Sequence, residues 1–121
     1  MENMRKKLKH VRPSFRAVVV LWREEFSFRL QTILTVLVLV ASLVLQIPLS
    51  EFVIMVVVVG MVLSVEAINT AIEELCNHVT PDQHPQIAKV KDLASGAAGI
   101  IGVAAMTVGL MIFIPHLLAL V

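Results

Sequence analysis

Three long stretches of the chain carry no acidic, lysine or arginine side chain, and polar segments separate them. These stretches are Leu30–Ser50, Phe52–Val65 and Leu93–Val121. A helix of about 20 residues crosses the hydrocarbon core of a bilayer. The helical pattern of the second stretch continues to Glu73, and that of the third begins in polar sequence near Ile87. We therefore predict membrane-spanning helices over residues 30–50, 52–73 and 88–118.

The segment before the first stretch is amphipathic. Its apolar side chains recur at helical spacing and share one stripe, which consists of Phe15, Val18, Val19, Trp22 and Phe26. One flank of that stripe carries Arg12, Arg16 and Arg23, and the other carries Glu25. Such a helix lies in the plane of the membrane interface, with tryptophan at headgroup depth. We predict an interfacial amphipathic region over residues 1–29, of which the polar, basic residues 1–12 are expected to fray.

Short polar connections separate the predicted spans. Pro48 and Glu51 mark a turn between the first two, and residues 76–86, which contain Pro81 and Pro85, are predicted to form a loop. Basic residues concentrate on the cytoplasmic side of membrane proteins. Since the first connection contains no lysine or arginine, the N-terminus is predicted to be cytoplasmic and the C-terminus outside.

Composition excludes a soluble domain. Hydrophobic residues make up 58% of the 121 residues, and the mean hydropathy is +0.89, whereas about 45–50% apolar residues is usual in soluble domains. Eight of the ten lysine and arginine residues lie within residues 1–29. This bias fits membrane topology and anionic headgroups, and no nucleic-acid recognition motif accompanies it. We predict an all-α membrane protein with one domain, in which Cys76 has no intrachain disulfide partner.

Polar side chains interrupt the end of the second predicted span. Glu66, Asn69 and Glu73 are spaced i, i+3, i+7, so they share one helical face, and Glu66 lies about 10 Å deeper than Glu73. An ionisable residue at the centre of a membrane helix costs about 2.5–3.5 kcal/mol on insertion scales. Hydrogen bonds between membrane helices average only about 0.6 kcal/mol each. A functional role therefore explains Glu66 better than helix packing does.

The third predicted span carries a stripe of small residues and a lysine at its base. The stripe consists of Ala94, Ala98, Gly102, Ala105 and Gly109, and it permits close approach of another helix. Lys91 at the base of the stripe is either a snorkelling lysine or a functional group, and the sequence does not decide whether Asp92 has a functional role. Carboxylates near basic side chains at an interface suit a divalent cation that bridges phosphates.

The stretch VEAINTAIEELCNHVTPDQHPQIAKVKDLASGAA (65–98) resembles the signature of the bacterial integral-membrane diacylglycerol kinase and undecaprenol kinase family. That signature reads Glu-x-x-Asn-[ST]-Ala-[IV]-Glu, a short loop, then Lys-Asp-x-[AG]-[SA]-[GA]-Ala. The matching residues are Glu66, Asn69, Thr70, Ala71, Glu73, Lys91, Asp92, Ser95, Gly96 and Ala97. The segments WREEFSFR (22–29) and PLSEF (48–52) extend the likeness, and the second resembles undecaprenol-type members.

The resemblance implies a homotrimeric lipid kinase that uses ATP and Mg²⁺, with sites between subunits at the cytoplasmic face. The acceptor would be the hydroxyl of undecaprenol or diacylglycerol, with undecaprenol slightly favoured. The implied roles are Glu66 as the base for the lipid hydroxyl, Glu25 and Glu73 as Mg²⁺ ligands, Asn69 for positioning phosphate or substrate, Lys91 for the ATP phosphates, and Asp92 and Arg29 as supporting contacts. Three positions depart from the family pattern: Asn77, where an acidic residue is usual, Ser27, where asparagine is usual, and the region of Val19, where a glycine is common.

Three other hypotheses remain at this point. Glu66, Asn69 and Glu73 suit a small proton or ion pathway, although such a relay has no use for Glu25 or Lys91. A packing subunit without chemistry is another, and it leaves the buried Glu66 unexplained. The third is a transition-metal site at Cys76, His78 and His84, whose spacing fits no standard ligand pattern.

Overall fold

Four helices make up the structure, a computed structural model that describes residues 2–79 and 84–121 and, within α1, the side chains of residue 3 and of residue 12 onward. In chain order they are α1 (Glu2–Glu24), α2 (Phe26–Val44), α3 (Leu49–Val79) and α4 (Pro85–Leu118). The last three are long and apolar enough to cross a membrane. The prediction of an amphipathic helix followed by three spanning helices is therefore confirmed.

The junction between α1 and α2 lies at Glu25, earlier than predicted. Glu25 has an extended backbone, with φ −108° and ψ 108°, so the first span begins at Phe26 and not at Leu30. The expected fraying of residues 1–12 was wrong for the described part, because α1 already begins at Glu2. Lysine, arginine, leucine and methionine are good helix formers, so local propensity is enough to extend α1 through this basic segment.

A four-residue turn joins α2 to α3, as the sequence predicts. Gln46 adopts a left-handed backbone conformation with φ 54°, which reverses the chain. The Ile47 amide donates to the Ser42 carbonyl, and the Phe52 amide donates to the Pro48 carbonyl. Pro48 precedes the first turn of α3, where the missing amide hydrogen removes no helical bond.

The connection between α3 and α4 is shorter than the predicted loop over 76–86. Residues 76–79 are helical, and α4 begins at Pro85. Proline is favoured at the first helical position, and the His84 side chain caps the helix by accepting a 3.2 Å hydrogen bond from the Gln86 amide. The rest of the predicted loop, residues 80–83, lies outside the described residues.

The helices α3 and α4 pack together most extensively, α2 packs against α3, and α1 packs against α2. Since α3 has 31 residues and α4 has 34, both exceed the roughly 30 Å hydrocarbon thickness at about 1.5 Å per residue. The stripe on α4 contributes the buried Ala94, but Gly102 is exposed and an added Cβ there would meet nothing within 4 Å. Within one chain, no helix approaches α4 closely at Gly102.

The connectivity gives the bundle two distinct ends. We call one the site end, formed by Glu25, residues 66–79 and residues 84–91. The other is the turn end, formed by residues 38–55 and 108–118. A small apolar core lies at the turn end, where Ile47, Met55 and Ile112 are buried together.

Candidate active site

The acidic side chains singled out in the sequence lie together at the site end. Glu66 and Glu73 are half-buried on α3, and Glu25 is half-buried at the start of α2. The charges of Glu73 and of Glu25 both act on the Glu66 carboxylate. The structure thus brings a carboxylate from another helix to the two carboxylates of α3.

The Glu25 carboxylate does not cap α2, although Glu25 occupies the capping position. Acidic side chains before the first helical residue commonly accept hydrogen bonds from backbone amides of the first turn. Glu25 occupies that position in α2 but makes no such side-chain bond. The positive end of the helix dipole favours its negative charge, and the carboxylate remains available to another partner.

The depth of these groups follows from the length of α3. About 20 residues from Leu49 are enough to cross the hydrocarbon core, which would place Ile68 close to the edge opposite the turn end. Glu66 and Asn69 therefore lie at this edge, whereas Glu73 lies about 10 Å further along the axis than Glu66, among headgroups and water. The site combines an acidic group at the hydrocarbon boundary with one in the aqueous interface.

Three buried polar atoms near this cluster have no hydrogen-bond partner within the described part of the chain. They are Asn69 Oδ1, Arg29 Nε and Gln31 Oε1. The Arg29 guanidinium lies 5.9 Å from the centroid of the Phe26 ring. A buried polar group without a partner costs about 1–3 kcal/mol. Because buried polar groups are normally hydrogen-bonded, each of these atoms calls for a further partner, such as a water, an ion or a ligand.

Lys91 lies at the site end but contacts none of the predicted site carboxylates. Its Nζ donates a 2.5 Å hydrogen bond to Asn77 Oδ1, one turn beyond Glu73 on α3. Asp92, the next residue, is exposed. The structure therefore places Lys91 and Asp92 at the aqueous side of the cluster, with Lys91 held by one of the positions that depart from the family signature.

Two grooves meet beside the cluster. An apolar groove of about 500 Å³ is lined by Val18, Val19, Leu21, Trp22, Phe28, Thr32, Leu63, Ser64 and Ala67. A second groove of about 220 Å³ is lined by Ala17, Val20, Leu21, Glu24, Glu25, Ala67, Thr70, Ala71 and Glu74. Leu21 and Ala67 line both, so the apolar groove adjoins the groove that Glu25 lines.

The donor set at the site end fits a hard divalent cation. Among the described side chains, neither Glu25, Glu66 nor Glu73 forms an ion pair with lysine or arginine, because the one ion pair joins Glu51 and His116. No three acidic, histidine or cysteine side chains of the described residues converge on one point. Mg²⁺ is commonly held by one or two carboxylates together with substrate phosphates. Glu25 and Glu73 fit that pattern.

Several functional or structural partners were missed in the sequence. Gln31 Nε2 donates to Glu66 Oε1 at 3.4 Å, and the sequence signal was an amide side chain near the start of an apolar span. His116 Nε2 lies 2.8 Å from Glu51 Oε2. For the hypothetical metal site in the loop, Cys76 is buried and His84 caps α4, so these two side chains have other roles.

Comparison with known proteins gives two similarities. The sequence model of prokaryotic diacylglycerol kinase matches residues 12–113. The undecaprenol kinase of Bacillus subtilis (strain 168) is 32% identical over 95 residues, which cover 78% of this chain and 77% of that protein. The stretch that the family model matches contains the acidic cluster, the connection after α3 and most of α4.

Proposed function

Since this chain belongs to the prokaryotic diacylglycerol kinase family and is a multi-pass membrane lipid kinase, we propose that it transfers the γ-phosphoryl group of ATP to the hydroxyl of undecaprenol. The observation that carries this proposal is that a groove lined by Glu25, a carboxylate with no ion-pair partner among the described side chains, adjoins the apolar groove. A lipid alcohol keeps its chain in such a groove and its hydroxyl at the interface, while ATP stays in water.

The proposed reaction is a direct transfer. The lipid hydroxyl oxygen forms a bond to the γ-phosphorus, the bond from that phosphorus to the β,γ-bridging oxygen breaks, and ADP leaves. Glu66 accepts the hydroxyl proton, and Asn69 positions the phosphate or the hydroxyl. Positioning and charge stabilisation supply most of the catalysis in phosphoryl transfer.

The charged residues nearer to water are proposed to hold the nucleotide. Glu25 and Glu73 would bind Mg²⁺, which neutralises developing charge on the transferring phosphoryl group. Lys91 would contact the ATP phosphates from α4, with Asp92 and Arg29 in support. The Asn77 amide leaves the positive charge of Lys91 unneutralised, which supports a role in binding polyphosphate.

We further propose that the site end is cytoplasmic and that three copies of the chain assemble. The basic side chains of α1 support the orientation, and ATP is available on that side. The small-residue stripe of α4, which is exposed at Gly102, supports close packing against a helix of another copy, and the resemblance to homotrimeric kinases gives the number.

Undecaprenol is proposed over diacylglycerol for two reasons. The curated relative is named as an undecaprenol kinase, and the turn segment PLSEF (48–52) resembles that of undecaprenol-type members. The proton or ion pathway considered from the sequence is not favoured, since the family is one of lipid kinases and the proposed kinase site has uses for Glu25 and Lys91 as well.

The proposal is tested with purified protein, Mg²⁺, labelled ATP and each lipid in matched mixed micelles. We expect label on both alcohols, with a higher kcat/KM for undecaprenol. A preference for diacylglycerol would overturn the substrate assignment alone. Label on neither lipid, with correctly folded protein, would overturn the proposed function.

A further inference from the structure

Gln31 is a polar residue whose place the functions above do not explain. It lies on α2 within the predicted first span, it is half-buried, and its Nε2 donates to Glu66 Oε1 at 3.4 Å. Its own Oε1 is buried without a partner among the described residues. An apolar side chain at this position would avoid the cost of burying an unsatisfied amide oxygen. The contact with Glu66 is therefore the feature that calls for an explanation.

We propose that Gln31 is a positioning residue for the phosphoryl transfer. Its amide hydrogen holds one oxygen of the Glu66 carboxylate, so that the second oxygen is presented to the lipid hydroxyl. This inference rests on the proposed function, because it assigns Gln31 a role only through Glu66.

The chemistry of an amide suits this task better than that of a basic side chain. A lysine or arginine beside Glu66 would form an ion pair and hold the negative charge that the proton acceptor needs. A neutral amide donates a hydrogen bond and leaves that charge in place. The 3.4 Å distance is long for a hydrogen bond between nitrogen and oxygen, and hydrogen bonds of catalytic groups commonly tighten once substrate is present.

The position of Gln31 on α2 also connects two parts of the site. The same helix begins next to Glu25, which lies about 9 Å away along the axis at 1.5 Å per residue. Through Gln31 and Glu66, α2 is therefore tied to α3 at the point of proton transfer, and through Glu25 at the point where the cation would be held. A displacement of about 1 Å at a reacting group lowers rates by as much as about 100-fold.

The test compares Gln31→Met with the unchanged protein, and Thr35→Val serves as the control. Methionine keeps the length and volume of glutamine but donates no hydrogen bond. Thr35 lies one turn further along the same face of α2 and is also half-buried. We expect kcat of Gln31→Met to fall about 10- to 100-fold, with the KM for ATP and for lipid within twofold of the unchanged protein. Thr35→Val should keep both constants. The rate is expressed per ATP-binding site, titrated with a non-hydrolysable analogue, so that unfolded protein does not count.

A second alcohol separates positioning from a structural role. A fluorinated lipid alcohol gives up its proton more readily, so a misplaced base matters less for it. The deficit of Gln31→Met should shrink at least threefold with this substrate. An equal deficit for both alcohols, or an unchanged kcat, would overturn the proposal, and Gln31→Leu repeats the test if the methionine variant does not fold. If the protein without any substitution phosphorylates neither lipid, the proposed function is overturned instead.

Discussion

At the turn end, the Glu51 carboxylate and the His116 imidazole contact each other at 2.8 Å, and the buried Ser42 hydroxyl donates to the Val38 carbonyl at 2.8 Å. At the site end, Glu25 and Glu66 have no ion-pair partner among the described side chains. The same helix, α3, carries Glu51 near its start and Glu66 near the far edge of the membrane. One end of the bundle pairs its polar groups with one another, and at the other end we propose that they are kept for substrates.

The difference between the two ends follows from what each must do. The turn end encloses a core of Ile47, Met55 and Ile112, and a polar pair beside it joins the start of α3 to the end of α4. The site end leaves buried oxygen and nitrogen atoms unpartnered, at a cost of about 1–3 kcal/mol each. Proteins tolerate such costs at functional sites and offset them elsewhere in the fold.

The largest effect is expected when the same single substitution is made at either end of α3. Glu66→Gln should lower lipid phosphorylation about 10³-fold, because an amide accepts no proton from the lipid hydroxyl. Glu51→Gln, the same change at the turn end, should stay within twofold of the unchanged protein. Initial rates of transfer from labelled ATP measure both. Equal losses in the two variants would remove the distinction between the ends.

A smaller loss of activity is expected at the start of α2. Glu25→Gln should lower the rate about 100-fold at a fixed Mg²⁺ concentration and raise the Mg²⁺ concentration needed for half-maximal rate, since a neutral amide is a weaker ligand for a hard cation. A titration of the rate against Mg²⁺ checks this. If the Mg²⁺ concentration for half-maximal rate is unchanged, Glu25 does not bind the metal.

The apolar core should affect stability and not chemistry. Met55 is 3% exposed, and Met55→Ala is expected to lower the free energy of unfolding by about 2 kcal/mol through lost contacts and a cavity. The kcat of the folded protein should not change. Denaturation in mixed micelles gives the first quantity, and a loss of kcat at full folding would contradict the separation of the two ends.

The smallest effect is expected from the ion pair at the turn end. His116→Gln keeps a hydrogen-bonding group of similar reach, but it loses the charge that a protonated histidine offers to Glu51. Because both side chains are partly exposed, the expected loss of unfolding free energy is about 1 kcal/mol or less. A loss several times larger would show that the pair, and not the apolar core, dominates this end.

The sequence predicted the helices better than their ends. Long uncharged runs identify spans by length alone, and the three spans are present. The extension of α3 to Val79 was missed, because residues 76–79 have no apolar periodicity although they permit helix. The start of α4 at Pro85 depends on the cap made by His84, which proline spacing alone does not indicate.

The sequence also predicted only part of the candidate site. Glu66, Asn69 and Glu73 share a face because their spacing is a property of one helix, so the sequence was enough. The contact of Gln31 with Glu66 depends on how α2 is rotated against α3. The pairing of His116 with Glu51 spans 65 residues and depends on the register of α3 and α4. Side-chain partners on different helices are decided by packing, which the spacing along one helix does not record.

The central claim is that the Glu66 carboxylate is retained for proton transfer and contributes nothing to folding. The most direct measurement is the free energy of unfolding of Glu66→Gln, beside that of the unchanged protein in the same micelles. The account predicts a free energy of unfolding equal to or higher than that of the unchanged protein. The substitution removes a negative charge at the hydrocarbon edge, and the negative charges of Glu25 and Glu73 repel that charge. A loss of about 2 kcal/mol or more would contradict it, since that is the effect expected of a carboxylate whose hydrogen bonds hold the fold together.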